Sequence, residues 1–155
     1  MKVKPKKRAV MTFLLRDTLK NSEVLVIKYK DGEDKDFFDI PGKEITEQSI
    51  NSVETAIWDF NEETGMFIED PKYKGKVTID KPDEILDVDV YIATKYEENP
   101  QNFKTHKAMW MPVEKAILSE KNYPSVEILN FLNKDQINIT MELDENNKFI
   151  KIIEK

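Results

Sequence analysis

The chain has 155 residues, 39% hydrophobic and 35% charged, with a net charge of −6 and a pI near 5.0. This composition suits a single domain with a real core and a heavily charged surface, and it argues against general affinity for nucleic acid or an anionic membrane. With no cysteine and one histidine, disulfides, thiolate chemistry and multi-histidine metal sites are excluded.

Met1 to Arg8 is basic and Ala9 to Leu15 mostly apolar, a loose imitation of a signal peptide. The apolar run is short, Arg16-Asp17 follows at once, and no small-residue cleavage site is present. No other stretch approaches the roughly 18 to 20 apolar residues that span a bilayer. The expectation is a cytoplasmic protein.

In chain order, Arg8 to Arg16 reads as a central strand and Asp17 to Ser22 as a polar turn. Val24 to Tyr29 is a second strand, and Lys30 to Lys35 a charged loop around a glycine. Phe37 to Ile40 is a short strand leading into Pro41-Gly42, followed by an acidic loop. Valine, isoleucine and phenylalanine at 53, 57 and 60, with Ala56 beside them, form one helical stripe. Asn51 with Glu54 fits a capping box, and Gly65 fits the left-handed residue that ends a helix. Lys72 to Ile79 and Ile85 to Tyr96 are strands either side of the Lys81-Pro82-Asp83 turn, and Thr105 to Met111 is another. Val113 to Ser119 and Ser125 to Leu132 have helical spacing, with Ser125 as a plausible cap. Ile137 to Leu143 and Phe149 to Ile153, around turn residues at 144–147, read as a C-terminal hairpin that extends a sheet edge or meets a partner.

Asp59, Glu62 and Glu63 fall three and four residues apart, so the spacing puts their carboxylates on one helix face. Such a face gains nothing by itself: like charges repel, and the last turn sits at the negative end of the macrodipole. Two explanations stand at this point, a solvated acidic face or a bound hard cation such as Mg²⁺.

Residues 39–66, from Asp39-Ile40-Pro41-Gly42 to Asp59-Phe60-Asn61-Glu62-Glu63-Thr64-Gly65-Met66, resemble the signature box of the MutT-like Nudix hydrolases. With the strand order, including Met109-Trp110-Met111-Pro112 before a late helix, the resemblance spans roughly Arg8 to Leu132. It implies an α/β (α+β) fold, a Nudix-like mixed sheet sandwiched between helices. Residues 1–134 would form this domain, and residues 135–155 would add the hairpin to it.

The resemblance also implies an activity: metal-assisted hydrolysis of a pyrophosphate linkage in a nucleotide, an ordinary or oxidised (d)NTP or a nucleoside diphosphate derivative. Glu62 and Glu63 would be catalytic, Asp59, Glu62 and Glu63 would bind Mg²⁺ or Mn²⁺, and Gly42 and Lys43 would meet the substrate. The partner would be a small nucleotide, with no nucleic acid or membrane, and a homodimer is compatible with the hairpin. Some family members keep a further acid after the long strand, where Glu97 and Glu98 stand here. Tyr29, Phe37, Phe38 and Trp110 are stacking candidates, each more readily read as core, and His106 is a candidate base, more readily read as a surface or core histidine.

This chain departs from the family pattern at several points. Trp58 replaces the arginine, Asp59 the first glutamate of the triplet, Ile50 the outer glutamate and Lys43 the second glycine, and the loop is one residue longer. Tryptophan has one N–H donor and no charge, so it cannot clamp carboxylates as a guanidinium does. Glu44 or Glu47 would supply the missing loop acid. Two readings follow, an active hydrolase or an impaired Nudix domain that binds a nucleotide or a protein.

Overall fold

The computed structural model describes residues 3–46 and 51–154. Its strands are β1 Lys6–Asp17, β2 Ser22–Tyr29, β3 Phe38–Asp39, β4 Gly42–Ile45, β5 Phe67–Glu69, β6 Lys72–Asp80, β7 Ile85–Ala93, β8 Lys95–Glu97, β9 His106–Pro112, β10 Ile137–Leu143 and β11 Phe149–Glu154. The helices are α1 Ser52–Thr64 and α2 Val113–Leu118, with a 3₁₀ helix at Pro124–Phe131.

Among the described residues, nine strands share one mixed sheet, running β11-β10-β6-β7-β1-β2-β3, with β4 also on β1 and β9 also on β2. The sheet is organised by β1. Along Lys6 to Leu14 it pairs in parallel with β7. Its other edge is divided: Arg8–Met11 pairs with β4 and Leu15–Asp17 with β2, both antiparallel. A strand with both edges filled and both faces covered reads as an unbroken apolar run, and residues 9–14 are all buried.

Alternate residues of β1 serve two cores. Ala9, Met11 and Phe13 join Val88, Val90, Ile139, Val126 and Leu129 beneath α2 and the 3₁₀ helix. Leu14 joins Leu25, Ile27, Phe60 and Met66, and Val10 joins Ala56 and Tyr91, all on the α1 side. The expected α+β architecture, a mixed sheet between helices, is what the chain adopts. The C-terminal hairpin extends the sheet, because β10 pairs in parallel with β6 and β11 forms the outer strand.

Four local expectations change. The start of the acidic loop is strand β4, since its backbone groups find partners on β1 although Lys43 and Glu44 are exposed. The long strand expected from Ile85 to Tyr96 ends at Ala93, and Lys95–Glu97 turns away to pair with β5. That turn places Tyr96 beside the α1-side core. The last helical segment is 3₁₀ rather than α, with Tyr123 and not Ser125 at its N-cap. No helix among the described residues is long and apolar enough to cross a membrane.

Candidate active site

The C-terminal half of α1 carries the acids, and its two ends are fixed locally. The Asn51 side chain accepts the Val53 N–H at 2.9 Å, capping the first turn through Val53 rather than Glu54. Gly65, at φ 79°, closes the helix by donating its N–H to Asn61 O at 2.8 Å. A second clamp holds the last turn, where His106 Nε2 lies 2.9 Å from the Glu63 carbonyl oxygen. A carbonyl only accepts, so Nε2 donates there, and Nδ1 lies 3.0 Å from the Thr105 hydroxyl. His106 therefore braces the helix end and is stacked on Phe103.

The acidic face divides in two. Asp59 lies on the buried stripe with Ala56, Phe60 and Thr64 and is only 6% exposed. Glu63, one turn later, lies beside it and is half-buried. Glu62 points outward, its side chain 67% exposed and its Oε2 3.8 Å from Lys43 Nζ. Among the described residues, no three His, Asp or Glu side chains converge on one point. Asp59 and Glu63 are thus brought together, and Glu62 is held to one side by Lys43.

Electrostatics make the pair unusual. Burial, then the Asp59 charge and a shared hydrogen bond, push the Glu63 carboxyl up to about 9, only partly relieved by the Gly42 N–H, which donates to Glu63 Oε2 at 3.0 Å. Burial also raises Asp59, against the hydrogen bond to Glu63 and the nearby Lys43 charge. Both shifts have one origin: burial and the neighbouring carboxylate disfavour ionising the two groups together. Gly42 is placed by contact: a Cβ there would fall 2.7 Å from Val10 O. Its amide is thereby taken up by Glu63, while the Lys43 side chain reaches Glu62.

A cavity of about 430 Å³ is bordered by Gly42, Lys43 and Glu44 and by Asp39, Tyr29 and Ser125, and it meets the pair through Gly42, whose N–H donates to Glu63. Asp39 is the polar centre of that wall. Its Oδ1 accepts from Ser125 Oγ at 2.6 Å and from its neighbour Ile40 N–H at 2.8 Å, and its Oδ2 accepts from Tyr29 OH at 3.0 Å. Burial raises Asp39, while these three donors pull it back. The Asp39 charge reaches Glu63 and raises it further, so cavity and acid pair form one electrostatic unit. Burial and the Asp39 charge also hold the Tyr29 hydroxyl protonated.

The other candidates lie elsewhere or do other work. Glu44 pairs with Lys7 at 3.7 Å, and Glu47 falls outside the described residues. Glu97 sits opposite Phe67 in the small sheet, and among the described residues no hydrogen bond or ion pair ties Glu97 or Glu98 to α1. Trp110 packs under Arg16, 4.0 Å from the guanidinium carbon, and Phe38 lies against Lys28. Tyr29 and Phe37 both pack on Tyr123, at 5.3 and 6.1 Å between ring centroids. Trp58 is 65% exposed, one turn from Glu54 and Glu62, and makes no clamp on the carboxylates.

Sequence reasoning did not identify Asp39 and Ser125 as site residues. The available signal was a carboxylate inside the otherwise apolar run from Phe37 to Ile40 just before Pro41-Gly42.

With this geometry the chain was compared with known proteins. No protein-family model matches the sequence, and no curated protein matches it. Solved structures do match. The MutT protein of Bacillus halodurans superposes with a TM-score of 0.76 at 16% identity, covering 95% of this chain and 96% of that one. This chain has the MutT-like Nudix fold.

Two further Nudix structures agree. The MutT NUDIX hydrolase of Burkholderia pseudomallei gives a TM-score of 0.68 at 18% identity, over 84% of this chain and 100% of its own. The NUDIX domain of Shewanella oneidensis NrtR, solved with ADP ribose, gives 0.66 at 14% identity, over 84% and 86%. In this Nudix fold the box helix is α1, and the acid pair lies where α1 meets the Pro41-Gly42 turn.

Proposed function

We propose that this chain hydrolyses a pyrophosphate linkage in a nucleotide, an ordinary or oxidised (d)NTP or a nucleoside diphosphate derivative, with Mg²⁺ or Mn²⁺ as cofactor in the cytoplasm. The observation that carries this reading is the inward-turned Asp59–Glu63 pair, with Glu63 held by the Gly42 N–H at 3.0 Å where Gly42 and Lys43 border the cavity. Two desolvated carboxylates side by side form a hard, anionic oxygen site, and a divalent cation would offset their repulsion. The residues present therefore fit such an ion. Asp59 and Glu63 would hold it. When bound, the metal neutralises phosphate oxygens and acidifies water.

The chain's own residues supply the rest. The Gly42 N–H fixes the orientation of Glu63. Lys43, drawn by the phosphates, leaves Glu62, which is then free to take the proton from the attacking water as the phosphoanhydride P–O bond breaks. The cavity receives the nucleoside end, with the Asp39 network of Tyr29 and Ser125 shaping its wall. No nucleic acid is expected as a partner, given the net charge of −6.

The second reading is a Nudix domain that binds a nucleotide without turnover. Its support is specific to this chain: Trp58 in place of the family's arginine and Glu62 turned to Lys43. A nucleotide panel with Mg²⁺ or Mn²⁺ separates the two. Release of phosphate or pyrophosphate, lost in Glu63→Gln, carries the first reading. Thermal stabilisation by a nucleotide without product carries the second, and silence across the panel in both assays removes both.

A further inference from the structure

The floor of the cavity runs across five neighbouring strands in the order β4-β1-β7-β6-β10, marked by Gly42, Met11, Val88, Ile79 and Leu143. Four inter-strand steps of about 4.8 Å separate the two ends by roughly 19 Å. Gly42 and Lys43 stand at one end, where the Gly42 N–H reaches Glu63. At the other stands the C-terminal hairpin, which contributes Leu143 from β10 and Asn147 from its turn. No part of the hydrolysis described above uses this far end.

The hairpin turn is built to hold a position. Asp144 Oδ1 accepts from Asn146 N–H at 2.8 Å and from Lys148 N–H at 2.9 Å. The backbone closes the same turn, with Asp144 N–H on Lys148 O at 2.8 Å and Asn147 N–H on Asp144 O at 3.0 Å. Asn147 sits at φ 60°, a left-handed conformation that asparagine tolerates better than most residues. An amide offers both donor and acceptor, so it can read the edge of a heterocycle or a sugar hydroxyl. The hairpin is tied to the sheet where β10 pairs in parallel with β6, which sets this turn relative to the floor.

Resting on the hydrolase reading, we propose that the C-terminal hairpin is the substrate-selecting wall of the cavity, and that Asn147 is the specificity residue for the group farthest from the phosphates. In this arrangement Lys43 and the acid pair treat every nucleotide alike, and the hairpin end distinguishes them.

The test is Asn147→Gly, which removes the side chain and keeps the left-handed backbone that glycine adopts freely. Steady-state kinetics with dGTP, dATP, dCTP and dTTP in Mg²⁺ should show KM for the preferred nucleotide rising about five- to tenfold, the worth of one lost polar contact, with kcat retained and the preference among bases compressed. Asp144→Ala, which unlocks the turn, should move KM the same way, and thermal melting of both variants checks that the fold is intact. A uniform loss of kcat with unchanged preference, or no change in KM, overturns the proposal. Calorimetric binding of the four nucleoside monophosphates without metal separates this result from hydrolysis. Binding weakened five- to tenfold in Asn147→Gly carries the proposal even in a protein that turns nothing over. Equal binding by both proteins, or none by the wild type, overturns it.

Discussion

Two sets of buried acid stand either side of the Pro41-Gly42 turn, and they are satisfied in opposite ways. Asp39 has three donors, Ser125, Tyr29 and its neighbour Ile40 N–H, so burial raises it while the hydrogen bonds restrain it. Asp59 and Glu63 have each other and the Gly42 N–H, and burial with like-charge repulsion lifts Glu63 to about 9. A buried acid whose hydrogen bonds are complete is a framework element. A buried pair whose carboxyls oppose each other's ionisation is a strained site, the kind that, on the proposed function, a cation would complete.

Substitution should separate the two sharply. On the proposed function, Glu63→Gln is expected to lower hydrolysis on the order of a hundredfold or more, because it would remove an anionic ligand of the metal. The same change should leave stability unchanged or raised in urea unfolding, since it ends the repulsion. Asp39→Ala should do the reverse on stability. It strands the Tyr29 and Ser125 hydroxyls and lowers the unfolding free energy by about 1–3 kcal/mol. If Glu63→Gln destabilises and Asp39→Ala does not, the contrast fails.

Acidity sharpens the comparison next. Glu63 is raised in the folded state, so the fold binds its proton more tightly than the unfolded chain does. The contribution is fully present below the ordinary carboxylate range near 4.5 and is lost as pH rises towards 9. Metal-free protein should therefore melt at progressively lower temperature across that window, with a shallower slope in Glu63→Gln. Mg²⁺ should raise the melting temperature most at the alkaline end, where it no longer competes with the proton.

The smallest effect concerns Trp58. As an exposed residue one turn from Glu54 and Glu62, its replacement by arginine creates two helix-surface ion pairs. Trp58→Arg is expected to stabilise α1 by about 0.5 kcal/mol in total, measurable by denaturant unfolding. A much larger gain would mean that the arginine reaches the buried pair, contrary to the outward position of this helix face.

Much of this was legible in the sequence. The Asn51 and Gly65 caps, the stripe through Ala56 and Phe60, and the alternation in Ile137 to Leu143 each carry a local signal that the fold keeps. The Nudix fold was legible from the Asp39–Met66 stretch and the strand order. The strand β4 was not, because Lys43 and Glu44 are polar and only the edge of β1 makes them a strand. Helical spacing put Asp59, Glu62 and Glu63 on one face. It carries no information on which side chains turn inward, and that is decided by burial beside Phe60 and by the charge of Lys43. Asp39 was hidden for a related reason: its partners Tyr29 and Ser125 are 10 and 86 residues away in the chain.

The most direct measurement is a calorimetric titration of the metal-free protein with Mg²⁺, and separately Mn²⁺, at pH 7 in two buffers of different ionisation enthalpy. If the Asp59–Glu63 pair is the metal site, binding should release about one proton, the one the raised Glu63 carboxyl holds, and Glu63→Gln should abolish both the binding and the release. Binding without proton release, or binding and release unchanged in Glu63→Gln, would contradict the assignment.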